Sequence, residues 1–153
     1  MKKIICYHGT TSDRCEEVLK SKVLKKTNAE RCRYKGTTPG FVYVTKRLCD
    51  AIDFSTRPEE EKGKEKDRLT FCVFKIIIDE NELLPDNDEA AWTSTISPDG
   101  YKECYRIERD LLINKDVIAL LKKRINTDRE LGTYMQECQI NPEIAEQEKW
   151  ILF

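Results

Sequence analysis

The longest apolar run in the chain, Leu69–Asp79, reads as the central strand of a sheet. It falls well short of the ~20 apolar residues that a membrane-spanning helix needs, and no other run comes closer. A central strand requires neighbours, and the chain offers several. Lys3–His8 and Lys102–Ile107 are strand-like. Phe41-Val42-Tyr43-Val44-Thr45 is β-branched and aromatic, as strands are. Asp110–Asn114 either continues the strand before it or lies beside it. Helical spacing of apolar residues predicts helices over about Asp13–Lys22 and Leu48–Phe54. It predicts three more over Asp116–Ile125, Thr127–Cys138 and Pro142–Trp150. The order is strand, helix, loop, then mostly strands, then helices, which favours an α+β fold over a doubly wound sheet.

A length of 153 residues suits a single domain. We read it as residues 1–153, with a core over about 1–125 and a helical C-terminal extension over about 126–153. The 27 Lys and Arg nearly cancel the 28 Asp and Glu, so the composition carries no general nucleic-acid or membrane footprint. The seven cysteines are odd in number and include no Cys-x-x-Cys pair. The opening Met-Lys-Lys-Ile-Ile-Cys-Tyr-His is too short and too soon polar for a signal peptide. Reduced thiols in a cytoplasmic protein are therefore expected, with no disulfide framework and no metal site. The charge run within Arg57–Arg68 is an exposed loop on this reading, and Lys25–Gly40 is a long polar one.

The chemistry-bearing residues stand at the strand ends. Ile4-Ile5-Cys6-Tyr7-His8-Gly9-Thr10-Thr11 is an apolar stretch leading into an imidazole, a bare glycine backbone and two hydroxyls. Such a tip can grip a small polar ligand. His8 is the only histidine, which excludes any mechanism needing two imidazoles and any site with several histidine ligands. Tyr43 follows Gly40-Phe41-Val42, and Glu103 follows Gly100-Tyr101-Lys102.

With these three segments in this order, the chain resembles the ADP-ribosyltransferase superfamily in its histidine–tyrosine–glutamate branch, the one similar to diphtheria toxin and the poly(ADP-ribose) polymerases. His8-Gly9-Thr10 matches the branch's His-Gly-Ser/Thr. Tyr43 matches its strand tyrosine, Phe54 stands at the spacing of a second aromatic, and Glu103 matches its late glutamate. The resemblance covers roughly positions 4–121. It implies split antiparallel sheets around an NAD cleft, a helical C-terminal segment, and a small stand-alone mono-ADP-ribosyltransferase that uses NAD as co-substrate and no metal.

The resemblance also implies roles. The bond between nicotinamide and ribose breaks through a cationic, oxocarbenium-like sugar, as in glycoside hydrolysis. Glu103 would stabilise that cation and hold the ribose 2′-hydroxyl. His8 would hydrogen-bond a ribose hydroxyl, and the Gly9 backbone would meet both the donor and the acceptor of the nicotinamide amide. Tyr43 and Phe54 would sandwich the nicotinamide ring, and Thr10 or Thr11 would reach the adenosine ribose. Basic residues of Lys25–Lys35 would meet the pyrophosphate. The acceptor, a protein or a nucleic acid, would be chosen by the loop of residues 85–100 with Trp92.

Glu108 competes with Glu103. Strand alternation puts 103, 105 and 107 on one face and 108 on the other, and Tyr101 two residues ahead favours Glu103. The family often has a serine eight residues after its tyrosine, holding the nicotinamide amide. Ala51 stands there, with Ser55 as a possible substitute. Alternative functions are NAD hydrolysis, an inert NAD-binding or protein-interaction module, and RNA 2′-phosphotransfer. The last needs a second histidine that this sequence does not have.

Overall fold

The computed structural model describes residues 2–28, 38–56, 69–86 and 103–153. Strands β1 (Lys3–Thr10), β3 (Val42–Thr45), β4 (Thr70–Asp79), β5 (Leu84–Pro85), β6 (Cys104–Ile107), β8 (Val117–Arg124) and β9 (Ile151–Leu152) form one sheet in the order β5-β6-β3-β1-β4-β8-β9. Each neighbouring pair in it runs antiparallel. A separate two-stranded ladder joins β2 (Val23–Leu24) to β7 (Leu111–Leu112). Helices α1 (Ser12–Ser21), α2 (Leu48–Thr56), α3 (Asp128–Ile140) and the short α4 (Glu143–Gln147), with a 3-10 turn over Glu80–Glu82, complete the described elements. The fold is α+β, with a mostly antiparallel sheet.

Alternation along the strands builds a core on each face. Cys6, Val42, Val44, Cys72, Phe74, Ile76, Ile78 and Ile107 point to the α1 face and pack with Cys15 and Val18. Phe71, Val73 and Leu121 point to the other, where Ala51 and Ile52 of α2 and Leu131 of α3 close over them. The β4 strand is buried on both faces, which explains its unbroken apolar sequence.

The first helix starts one residue earlier than the spacing predicts. Thr11 is its N-cap, its Oγ1 accepting from the Arg14 N–H at 3.4 Å. Lys22 ends it in the left-handed conformation, φ 63°. Strand β4, helix α2 and helix α3 follow the sequence expectations closely.

Two expectations are corrected. Asp116–Ile125 is not a helix; Val117–Arg124 is strand β8, hydrogen-bonded to β4 on one side and β9 on the other. Its run Val117-Ile118-Ala119-Leu120-Leu121 is apolar at every position, and such a run serves a doubly covered strand as well as a helix. The C-terminal segment is not helical throughout either. After α3 and α4 it returns as β9, pairing Ile151 with Leu120 and Leu152 with Ala119. Among the described residues, no helix is long and apolar enough to cross a membrane.

Candidate functional site

The two edges of β1 differ sharply. Toward β4 every residue from Lys3 to Thr10 has a partner, ending with Gly9↔Val73 and Thr10↔Cys72. Toward β3 the register contains a single pair, Tyr7↔Thr45. Beyond it, in the direction of Thr10 and Val42, the ladder stops, which leaves an opening in the main-chain pairing.

His8 stands in this opening. Its Nδ1 lies 2.6 Å from the Tyr43 main-chain carbonyl. A carbonyl only accepts, so Nδ1 carries the hydrogen and the neutral ring has its lone pair on Nε2. Had the ladder continued, the next pair after Tyr7↔Thr45 would have been Gly9 with Tyr43. The imidazole takes the carbonyl that a Gly9 N–H would have used.

The direction of the Gly9 peptide follows from its neighbour. The Ser55 hydroxyl donates to the Thr10 carbonyl at 2.6 Å and accepts from the Cys72 N–H at 3.0 Å. The Thr10 main chain therefore faces β4. Polar groups of successive strand residues alternate sides, so the Gly9 N–H and C=O face β3, where the ladder gives Gly9 no partner. One donor and one acceptor are thus turned into the opening.

Packing requires glycine at position 9. A Cβ there would lie 1.8 Å from the Ala51 carbonyl oxygen and 2.8 Å from its carbon. Helix α2 packs its backbone directly on the strand tip. Ala51, which stands where the resemblance implies a serine, is wholly buried in that contact. Ser55 does not replace the serine as a ligand contact. It is 2% exposed, and its hydroxyl proton is given to the Thr10 carbonyl.

Tyr43 is half-buried on β3, its hydroxyl donating to the Thr38 carbonyl at 2.6 Å and its ring tilted against Phe41 at 6.3 Å between centroids. Phe54 is half-buried in the last turn of α2. Both belong to the α2 side, because Val42 and Val44 take the α1 face. Thr10 is only 5% exposed, so little of its side chain is open to a ligand, and Thr11 caps α1.

Glu103 immediately precedes β6, and its carbonyl accepts from the Lys46 N–H at 3.0 Å. Tyr105 and Ile107 pack on the α1 face, and Glu103 sits in a helical turn just ahead of the strand, half-buried. The register sets the His8 and Glu103 Cα positions ~7 Å apart along the strands and ~10 Å across them. That is a gap a nucleoside-sized ligand can span. Glu108 falls in the exposed bend after β6. Arg47 is close enough to sense Glu103. Burial works against the guanidinium charge, but Cys49, Asp50 and Glu103 together raise its pKa above the ordinary arginine value.

Sequence reasoning missed Arg106. It lies opposite Tyr43 in the β3–β6 ladder, with its guanidinium carbon 4.1 Å from the centre of the Phe41 ring. Its Nε is buried without a hydrogen-bond partner. The available signal was an arginine between Tyr105 and Ile107 inside a strand, a place where charge is seldom left without purpose. Tyr101, Trp92 and residues 29–35 of the basic loop lie outside the described residues, as does most of the loop 85–100. Among the described residues, no cluster of three His, Cys, Asp or Glu side chains could hold a metal ion. The six described cysteines are free thiols, and burial pushes the Cys6 thiol up to about 12 despite the nearby Lys46.

No family model matches this chain, and no curated protein matches its sequence.

Proposed function

We propose that the protein transfers ADP-ribose from NAD to a macromolecular acceptor, releasing nicotinamide. The observation that carries this reading is the opening beside β1, with the Gly9 peptide edge and the His8 imidazole turned into it. An N–H and a C=O side by side complement a carboxamide, which needs one of each. The finer expectation, an ADP-ribosyltransferase-like pair of sheets parted by an NAD cleft, rests on this same opening.

The residues divide the work by face. Gly9 holds the carboxamide, and Tyr43 and Phe54 on the α2 side stack on the nicotinamide ring. On the α1 side the His8 Nε2 accepts from a ribose hydroxyl. Glu103 holds the 2′-hydroxyl and faces the positive charge that grows on the sugar as the C1′–N bond breaks. The bonding electron pair leaves with the nicotinamide nitrogen. The acceptor then bonds to C1′, and Glu103 orients it and relays its proton toward solvent. Water in the acceptor's place gives NAD hydrolysis by the same first step. The chemistry calls for no metal.

Glu103→Gln keeps the shape and removes the charge. Nicotinamide release from NAD is expected to fall about a thousandfold, in line with the removal of one electrostatic stabiliser, while NAD binding measured by calorimetry changes little. Release that is undiminished in this variant sinks the assignment. NAD binding with no release by the unaltered protein would make the chain an inert NAD-binding module.

A further inference from the structure

Two thiols from different elements meet inside the α1-face core. Cys15 stands early in α1 and Cys72 on β4, and both are wholly buried. Both are free, and a hydrogen bond joins their sulfurs. The main chain holds them on either side of the strand tip. Cys72 is paired with Thr10, and its N–H is held by the Ser55 hydroxyl at 3.0 Å. The Cys15 N–H donates to the Thr11 carbonyl at 2.9 Å. Thr10 and Thr11 are consecutive, so the turn from β1 into α1 hangs between the two cysteines.

The pair is unequal. The Cys72 S–H donates to the Cys15 sulfur. That bond holds the Cys15 thiol below its ordinary value, with burial and Glu16 opposing it and Lys122 assisting. The same bond, with burial, pushes the Cys72 thiol up. Burial by itself would raise Cys15 too, as it raises Cys6 in the same core. Cys15 is thus the sulfur prepared to ionise, and Cys72 the one that keeps its proton. A nucleophilic thiol beside a second thiol is the arrangement that disulfide formation needs.

We propose that Cys15 and Cys72 form a reversible disulfide that locks α1 to β4 beside the strand tip. The lock is independent of the proposed transfer reaction. Its oxidant is hydrogen peroxide. The Cys15 thiolate attacks one peroxide oxygen, the O–O bond breaks, and the departing hydroxide takes up the proton that Cys15 gave away. Cys72 then attacks the Cys15 sulfenic sulfur, the S–O bond breaks, and the hydroxyl leaves with the Cys72 proton. Two thiols and one peroxide become one disulfide and two waters, and a dithiol reverses the bond. Both sulfurs are covered, so the oxidant must be small or must wait for α1 to lift from the sheet. The bond closes the loop between residues 15 and 72, which contains β2, β3 and α2, and with them Tyr43 and Phe54. Closing a long loop narrows the unfolded ensemble and stabilises the fold.

The test uses the whole chain, oxidised with hydrogen peroxide in native buffer, alkylated in denaturant and digested without reductant. Mass spectrometry should find a cross-linked species joining the Cys15 and Cys72 peptides, and dithiothreitol should abolish it. The oxidised chain should melt roughly 10 °C above the reduced one, the scale for a closed loop of this length. Hydrogen exchange at the Cys15 amide should slow on oxidation. Cys72→Ala should remove both the cross-link and the melting shift. Cys49→Ser, which removes the most exposed of the described thiols, should keep both. The oxidised and reduced forms share one sequence, so their comparison does not depend on how well a variant folds. Cys15 and Cys72 recovered unlinked, either of them bonded to another cysteine, or an oxidised chain that melts no higher than the reduced one overturns the inference.

Discussion

The two edges of β1 differ in how far they are paired, and the proposed function makes one of them scaffold and the other site. Its β4 edge is paired over eight residues and closed by a side-chain hydroxyl at the end. Its β3 edge is paired once and then abandoned, with an imidazole in place of the next ladder bond. A ladder bond contributes roughly 1 kcal/mol net, so the unmade pairs on the β3 edge cost little beside the burial that the other edge secures. Main-chain groups that would have held strands together are left out of the ladder there, and the proposed function gives them a ligand.

The comparison is broken most severely at Gly9, where both edges meet α2. Gly9→Ala places a methyl group against a main-chain carbonyl that cannot swing away. A loss of about 3 kcal/mol is expected, at the upper end of overpacking, read as a lower urea midpoint. An unchanged midpoint would mean that α2 can lift off the strand.

A smaller loss is expected at the far end of the closed side. There the Asp116 carbonyl accepts from the Ile77 N–H of β4, and its carboxylate takes two Arg109 N–H groups and the Leu112 N–H. Asp116→Asn should cost about 2 kcal/mol, less than a fully buried pair because Arg109 is 36% exposed. The Arg109 guanidinium holds the Asp116 carboxyl below its ordinary value, against the opposing effect of burial. A lowered pKa adds stability that is complete above the unfolded value and is lost as pH falls through the folded one. Acid titration of the unaltered protein should therefore show stability falling below about pH 4. Asp116→Asn should flatten that limb, and identical limbs in both proteins would contradict the ion pair.

The smallest stability effect belongs to the open edge. His8→Ala removes one hydrogen bond to the Tyr43 carbonyl and should shift stability by about 1 kcal/mol or less. Nicotinamide release should nevertheless fall about a hundredfold. If the stability loss instead matches that of Gly9→Ala, His8 is a structural wedge and the open edge is no site.

Local chemistry made much of this legible. Val42–Thr45 and Thr70–Asp79 read as strands because β-branched and aromatic residues crowd them, and Thr127 caps α3 where the periodicity placed a helix start. The run from Val117 to Leu121 was misread because its decisive partners are distant in sequence: β4 some forty residues earlier, and β9 some thirty later. The same limit applied to the site. His8, Tyr43 and Glu103 were proposed from their own segments, and the sheet order puts β1, β3 and β6 side by side. That the β1–β3 ladder ends at Tyr7 and that Arg106 lies on Phe41 both depend on register. Register is settled between strands rather than within them.

The Ser55 hydroxyl between Thr10 and Cys72 has a mechanical consequence. At that point the sheet is joined through a residue of α2, so the helix is a structural member of the sheet and not a cover laid over it. Helix α2 also carries Phe54 and presses on Gly9. The strand tip and one wall of the proposed nicotinamide pocket therefore move as one body. A ligand that pushes on Phe54 would be felt at the Gly9 peptide, and the site would keep its width by being rigid across two kinds of secondary structure.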